Sequence, residues 1–292
     1  MRLLIITPFK NEEASIERTI TSILKQGTKP EAWLLVDDNS TDTSPAIVKQ
    51  YSTQVNYIHY CLKPDNSDRA TGKNIIDVFN YGLEKAAGLQ ITWDVVLKLD
   101  ADLVIDRDDY LGFILQKFAA FPALGIASGA TYILKDGKKI VESKHKWHTQ
   151  GPNKFYRKEC LQAIGGLKPF KGWDGIDDIM ARHKGFITEK FFEQPVLHLY
   201  PTQTRAAEGG IKHGIMREAA SYHNRSYPVY MFILKAIKLA RSRKFYEAIT
   251  FLVHGLKLKL STRPLVTKEE EKIVSQFLKQ RFFSQLKYTN QL

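Results

Sequence analysis

Val95-Val96-Leu97-Lys98-Leu99-Asp100-Ala101-Asp102 is a hydrophobic run that ends in two carboxylates separated by one small residue. Its length and valine content are those of a buried strand, so both acids fall at the rim of a sheet, where open α/β folds collect their ligands. Two hard oxygen donors there suit Mg²⁺ or Mn²⁺ carrying a diphosphate, because these ions keep positions for water and phosphate. Acidic turns after strands also occur as plain solvated surface, so the tripeptide takes its meaning from its surroundings.

Toward the N-terminus, residues 3–7 are an apolar strand stopped by Pro8, and 13–26 carry Ile16, Ile20, Ile23 and Leu24 at helical spacing. A second strand is expected over 33–36. A helix opened by Thr43 or Ser44 follows, with Pro45 in its first turn, then a strand over 55–60 and a helix over 75–87. This alternation predicts an α/β fold with a mostly parallel sheet and helices on both faces. Toward the C-terminus, 110–121 is helical, and 126–134 with 140–141 form antiparallel strands around Asp136-Gly137. Short helices are expected over 158–164 and 177–184, and a late strand over 196–199.

The chain has 292 residues, 43% of them hydrophobic, enough for a packed core. Cys61 and Cys160 form no CxxC pair, which argues against a disulfide scaffold or structural zinc and fits a reducing compartment. The N-terminal apolar stretch is too short for a signal peptide. No window approaches the ~18 apolar residues of a membrane span. A cytoplasmic protein is expected, soluble or peripheral at the inner face of the membrane.

The net charge of +12 is unevenly placed: residues 203–292 hold 17 basic and 6 acidic side chains, and the first 202 hold 26 and 25. Two regions follow, a nearly neutral 1–202 and a basic, helical 203–292. Within the latter, 229–240 and 245–260 have apolar residues at helical spacing interleaved with lysines. Such helices either pack on the preceding domain with their lysines in water or rest on an anionic membrane. Thr267-Lys268-Glu269-Glu270 is a capping box opening a last helix. The basic residues lack the aromatic interleaving of a single-strand platform, so no nucleic acid is expected as partner.

Four further segments sit where chemistry would be placed. Thr7-Pro8-Phe9-Lys10-Asn11-Glu12-Glu13 and Asp37-Asp38-Asn39-Ser40 close adjacent strands and should face one crevice, where an acid can accept the imide N–H of uracil or the amine edge of guanine. Their plain alternative is helix capping and turn chemistry. Arg69-Ala70-Thr71-Gly72-Lys73-Asn74 precedes a helix and offers a diphosphate backbone N–H groups and the Lys73 ammonium, or leaves that lysine simply solvated. In Trp173-Asp174-Gly175-Ile176-Asp177-Asp178, paired acids open a helix with Arg182 one turn on. The acids are either a cap with an Asp178–Arg182 pair, or a general base beside a residue gripping the acceptor, with Trp173 as platform for a sugar face. His198 closes the last strand and is a candidate metal ligand beside Asp102; His145, His148, His183 and His213 have no such context.

Taken together, and with Phe155-Tyr156-Arg157-Lys158 and Ile164-Gly165-Gly166, these motifs resemble a family 2 glycosyltransferase of GT-A fold over residues 1–202. The resemblance implies that Pro8, Glu12 and Asp38 contact the nucleotide base and ribose, that Lys73 lies near the diphosphate, and that the Asp100-Ala101-Asp102 motif binds the donor, Asp100 facing the nucleoside. It implies that Asp102 binds Mn²⁺ or Mg²⁺, that Asp178 is the catalytic base, and that Asp177 replaces the glutamate many relatives carry there. The implied reaction is inverting transfer of a sugar from a nucleotide-diphosphate sugar, UDP- ahead of GDP-, to a glycan or lipid-linked acceptor hydroxyl in polysaccharide synthesis. A nucleotidyltransferase would share the nucleotide-binding half but leave Asp177 and Asp178 without a task. A basic nucleic-acid-binding protein is the other alternative.

Overall fold

A computed structural model describes residues 1–64, 74–143, 145–200 and 210–283. Among these residues, strands β1 (Leu3–Phe9), β2 (Ala32–Asp37), β3 (Ile58–Leu62), β4 (Val95–Leu99), β5 (Leu103–Ile105), β6 (Leu124–Lys135), β7 (Lys138–Val141), β8 (Asn153–Arg157) and β9 (Ile187–His198) form one sheet. Its order is β3-β2-β1-β4-β8-β6-β9-β5, with β7 hairpinned onto β6 through Asp136 and Gly137, both at positive φ. β3, β2, β1 and β4 are parallel, as the βαβ alternation requires. β8 is antiparallel to both β4 and β6, so the sheet is mixed rather than mostly parallel.

Helices α1 (Ile16–Leu24), α2 (Ser44–Gln54), α3 (Asn74–Gly88), α4 (Tyr110–Ala120), α5 (Lys158–Ala163) and α6 (Trp173–His183) cover both faces. Strand side chains alternate between two hydrophobic layers. Leu3, Ile5, Trp33 and Leu97 pack with α1 and α4, whereas Leu4, Ile6, Leu34 and Val96 pack with α3, α5 and α6. Helices α7 (Gly210–Asn224), α8 (Val229–Arg241), α9 (Phe245–Ser261) and α10 (Lys268–Phe283) follow. The second layer runs on into them through Ala219, Phe232, Phe251, Val274 and Phe277. The expected capping box opens α10: Thr267 N–H donates to Glu270 and Glu270 N–H to the Thr267 hydroxyl. Among the described residues no helix is long and apolar enough to cross a membrane.

Three local expectations change. The β3 strand starts three residues later than expected. Helix α6 starts at Trp173 rather than Asp177, because Gly172 at φ 103° makes the turn into it, and a Cβ there would lie 2.7 Å from the Ser221 hydroxyl. The α2 start is held by Asp42, which accepts from the Ser44 N–H and hydroxyl, and no side-chain cap comes from Thr43.

Candidate active site

Adjacent loops at the carboxyl ends of β1 and β2 are laced together. Asn11, at φ 53°, accepts the Thr41 N–H through Oδ1 at 2.8 Å and donates its own N–H to the Ser40 hydroxyl. Glu13 accepts from Thr43 N–H and Oγ1, and Glu12 N–H donates to Ser44. Asn11 is therefore a bridge between the loops and not the cap of α1, which is Ser15. Pro8 lies within β1 opposite Val36, and Glu12 accepts from Ser15 Oγ at 2.8 Å. The two neighbouring acids divide their work. Asp37 accepts from Ser40 N–H, Ser40 Oγ and the Tyr60 hydroxyl and shapes the turn; Asp38 lies 4.0 Å from Lys10 on the same strand edge. Burial, with Asp37 beside it, pushes the Tyr60 phenol up to about 12. Lys73, with residues 69–73, lies outside the described residues.

At the end of β4, Asp100 pairs with Lys98 of its own strand, and its N–H donates to Pro152 C=O at 2.8 Å. Burial raises the Asp100 carboxyl above its ordinary range against the pull of Lys98. The Ala101 carbonyl is fixed by the Thr19 hydroxyl of α1 at 2.8 Å, which sets the bend between the two acids. Asp102 sits 3.4 Å from Nε2 of His198, and β5–β9 pairing places Leu103 opposite His198. Nδ1 of His198 lies 3.0 Å from Glu142. Burial works against charge on His198, but hydrogen bonds to Asp102 and Glu142 outweigh it and raise the imidazole to about 10.

Whether these residues fit a divalent cation is a question of donor chemistry. Among the described residues no three His, Cys, Asp or Glu side chains converge as a closed metal cage. Each ring nitrogen of His198 faces a carboxylate, so a divalent cation entering beside Asp102 would displace the Nε2 proton while Glu142 keeps its hold on Nδ1 and orients the ring. Asp102 and His198 thus fit Mn²⁺, and Mg²⁺ less well, with substrate oxygens and water completing the shell.

Helix α6 carries the second acidic pair in its second turn. Asp177, 4% exposed, accepts two bonds of 2.7 Å from Lys154 and one of 2.6 Å from Tyr156. Burial raises its carboxyl to about 6 against the pull of Lys154. Asp178 is fully buried: it accepts from Thr149 Oγ1 at 2.6 Å, Thr149 N–H at 3.1 Å and His148 Nδ1 at 2.8 Å, and lies 3.2 Å from Lys154. Burial works against its charge, but Lys154, His148 and Thr149 hold the carboxyl below the ordinary range. The Asp178–Arg182 pair of the capping alternative gives way to these contacts, and Arg182 donates to Thr188. Asp177 likewise faces Lys154 and Tyr156 within the fold. Trp173, expected as a sugar platform, lays its ring over the Lys98 and Lys154 ammonium groups at 5.1 and 5.6 Å.

One connecting segment joins the acidic groups. Between β7 and β8, Glu142 meets His198, His148 and Thr149 meet Asp178, Gly151 C=O accepts from Lys98, and Pro152 C=O accepts from Asp100 N–H. Asp102 and Asp178, 76 positions apart in sequence, are thereby held by one stretch of 11 residues, 142–152. Asp38 shares the same sheet edge through β2 and β1. Sequence reasoning missed His148, Glu142, Lys98 and Lys154. The available signal was the lysine inside Val-Val-Leu-Lys-Leu: a strand buried on both faces tolerates an ammonium only beside a buried acid.

A mixed sheet whose parallel half delivers Asp38, Asp100 and Asp102 to one edge is the GT-A fold. Residues 4–173 match the family described as Glycosyl transferase family 2, and the chain belongs to that family. Among relatives, it is 31% identical over 144 residues to the Bacillus subtilis glycosyltransferase TuaG, whose name assigns it to teichuronic acid biosynthesis; the match covers 48% of this chain and 51% of TuaG. The chain spans about half the length of the first curated relatives it matches. Staphylococcus aureus TarS residues 1–349, solved with UDP-GlcNAc, superposes with a TM-score of 0.57 at 17% identity over 94% of this chain and 78% of that one. The mannosyltransferase PcManGT of Pyrobaculum calidifontis, solved with GDP-Man and Mn²⁺, gives 0.56 at 16% identity over 97% and 81%.

Proposed function

We propose that this protein transfers a sugar, with inversion, from a nucleotide-diphosphate sugar to an acceptor hydroxyl in polysaccharide synthesis, a UDP-sugar being the first donor and a GDP-sugar the second. The observation that carries the reading is the convergence of Asp100, Asp102 and Asp178 on residues 142–152. Pro8, Glu12 and Asp38 line the nucleoside end, and Lys73 serves the diphosphate. Asp102 and His198 would hold Mn²⁺ or Mg²⁺, which when bound neutralises charge on the departing diphosphate.

The family resemblance implies that Asp178 is the base. Asp178 is closed off from solvent and already accepts from three donors, so we assign proton acceptance to its partner, His148, whose side chain is 25% exposed. With Nδ1 engaged by Asp178, His148 keeps Nε2 for the acceptor hydroxyl. That atom takes the proton as the acceptor oxygen attacks the anomeric carbon, and Asp178 stabilises the imidazolium. Attack opposite the leaving diphosphate inverts the centre in one displacement, without an enzyme nucleophile.

The test is thermal denaturation with a panel of UDP- and GDP-sugars, with and without Mn²⁺. Stabilisation by one nucleotide class, increased by the metal, is expected. Indifference to every donor sinks the reading.

A further inference from the structure

The basic C-terminal helices carry an apolar surface that the fold does not cover. On α8, Val229, Ile233 and Ile237 recur every fourth residue and are 43–45% exposed, while Phe232 and Ala236 face inward. On α9, Phe245, Ile249 and Val253 repeat the spacing at 61–65% exposure, with Leu260 at 90%. The two helices pack through Phe232 against Gly255, where an added Cβ would lie 2.3 Å from the ring, so they sit close enough to present their ladders together. Residues 229–263 hold eight basic side chains and one acidic. Exposed apolar ladders flanked by lysine and arginine match an anionic bilayer surface, with the apolar rows entering the acyl boundary and the cations meeting headgroups.

A cavity of about 390 Å³ borders α8, with the exposed Leu234 in its wall. Met231 and Leu234 of α8 form part of its wall, and His148, the partner of Asp178, forms another part. Two guanidinium groups line it. Arg281 stacks on Trp147 at 4.2 Å; Arg225 stacks on Tyr227 at 4.4 Å and donates only to the neutral Ser221 carbonyl and hydroxyl. Among the described residues Arg225 meets no carboxylate, leaving a half-buried cation whose charge is available to an anion.

We propose that the α8–α9 face rests on an anionic membrane and that this cavity takes the phosphate headgroup of a lipid-linked acceptor from it. The headgroup sits between Arg225 and Arg281, the hydrocarbon chain leaves past Leu234 into the bilayer, and the acceptor hydroxyl reaches His148. The acceptor assignment rests on the glycosyl-transfer reading; membrane docking does not.

The test uses the full chain. Flotation with phosphatidylcholine vesicles, with and without phosphatidylglycerol, is expected to show binding to the anionic vesicles at low salt. That binding is lost in Ile233→Ser/Ile249→Ser/Val253→Ser, whose exposed positions leave the melting temperature unchanged. Farnesyl phosphate is expected to bind at least tenfold more tightly than inorganic phosphate or farnesol, and Arg225→Gln and Arg281→Gln each to reduce that affinity about tenfold. No flotation, or farnesyl phosphate binding no better than phosphate alone, overturns the inference. Donor-induced stabilisation, measured in the same preparations, separates the two readings. If it persists without flotation, docking alone fails; if it is absent while flotation and farnesyl phosphate binding hold, glycosyl transfer alone fails.

Discussion

Lys98 and Lys154 stand directly opposite each other across β4 and β8, both buried, with the Trp173 ring over the two ammonium groups. Like charges so placed repel unless each is answered, and each is: Lys98 by Asp100, Lys154 by Asp177 and Asp178. The strand pairing thus couples the acid at the donor end to the acids of α6. The lysines are the structural reason that carboxylates far apart in the chain share one neighbourhood.

Removing Lys154 leaves two buried carboxylates without their cation. Lys154→Met should therefore lower stability by about 3–5 kcal/mol, and adding Asp177→Asn should recover part of the loss. Urea denaturation of the single and double variants reads this. A Lys154→Met protein as stable as wild type means the network is solvated rather than buried.

These lysines also mark where the sequence stops being legible. β4 was readable to the residue because five apolar-flanked positions have one reading. β8 was missed because Asn153 and Lys154 look like surface, and only Asp177, 23 positions later, makes an inward Lys154 tolerable. Glu189 and Lys190 hid the first half of β9 in the same way, for both are buried. The sequence places the start of the helix at Asp177, yet α6 begins at Trp173 between Gly172 and Gly175, with the Arg225 guanidinium filling the space a Cβ at Gly175 would need. The motif acids were visible; which atom each one faces was not. Asp37 and Asp38 are alike in sequence, and only Tyr60 and Ser40 tell them apart.

For the proton transfer, Asp178→Asn and His148→Ala should both keep donor-induced stabilisation and lower kcat by about 10²–10⁴-fold. The double variant should be no slower than the worse single one, as expected of groups acting as a unit. Full turnover by His148→Ala with loss in Asp178→Asn would return the base role to the carboxylate.

At the donor end, Asp102→Asn should abolish the part of donor stabilisation that depends on Mn²⁺ and leave the metal-free part. Glu142→Gln, which removes the carboxylate beside Nδ1 of His198, should weaken Mn²⁺ by about 10–100-fold, as loss of an orienting partner does. Titration of Mn²⁺ against the melting temperature at fixed donor distinguishes the two. Unchanged Mn²⁺ dependence in both removes Asp102 and His198 from the metal site.

Glu189 provides a pH test away from the site. It is 4% exposed on β9, and burial pushes its carboxyl up to about 7 against the pull of Lys146 and Arg182. Because its folded value lies above its ordinary 4.5, the protein is favoured by this group below pH 4.5 and loses that contribution as pH rises through 7. Glu189→Gln keeps the shape and removes the titration. The variant should match wild type near pH 4.5 and exceed it by about 3 kcal/mol at pH 8, taking about 1.4 kcal/mol per pKa unit over the rise from 4.5 to about 7. Urea melts across that range decide it. A stability difference that does not change with pH would mean Glu189 stays ionised throughout and its charge is answered within the fold.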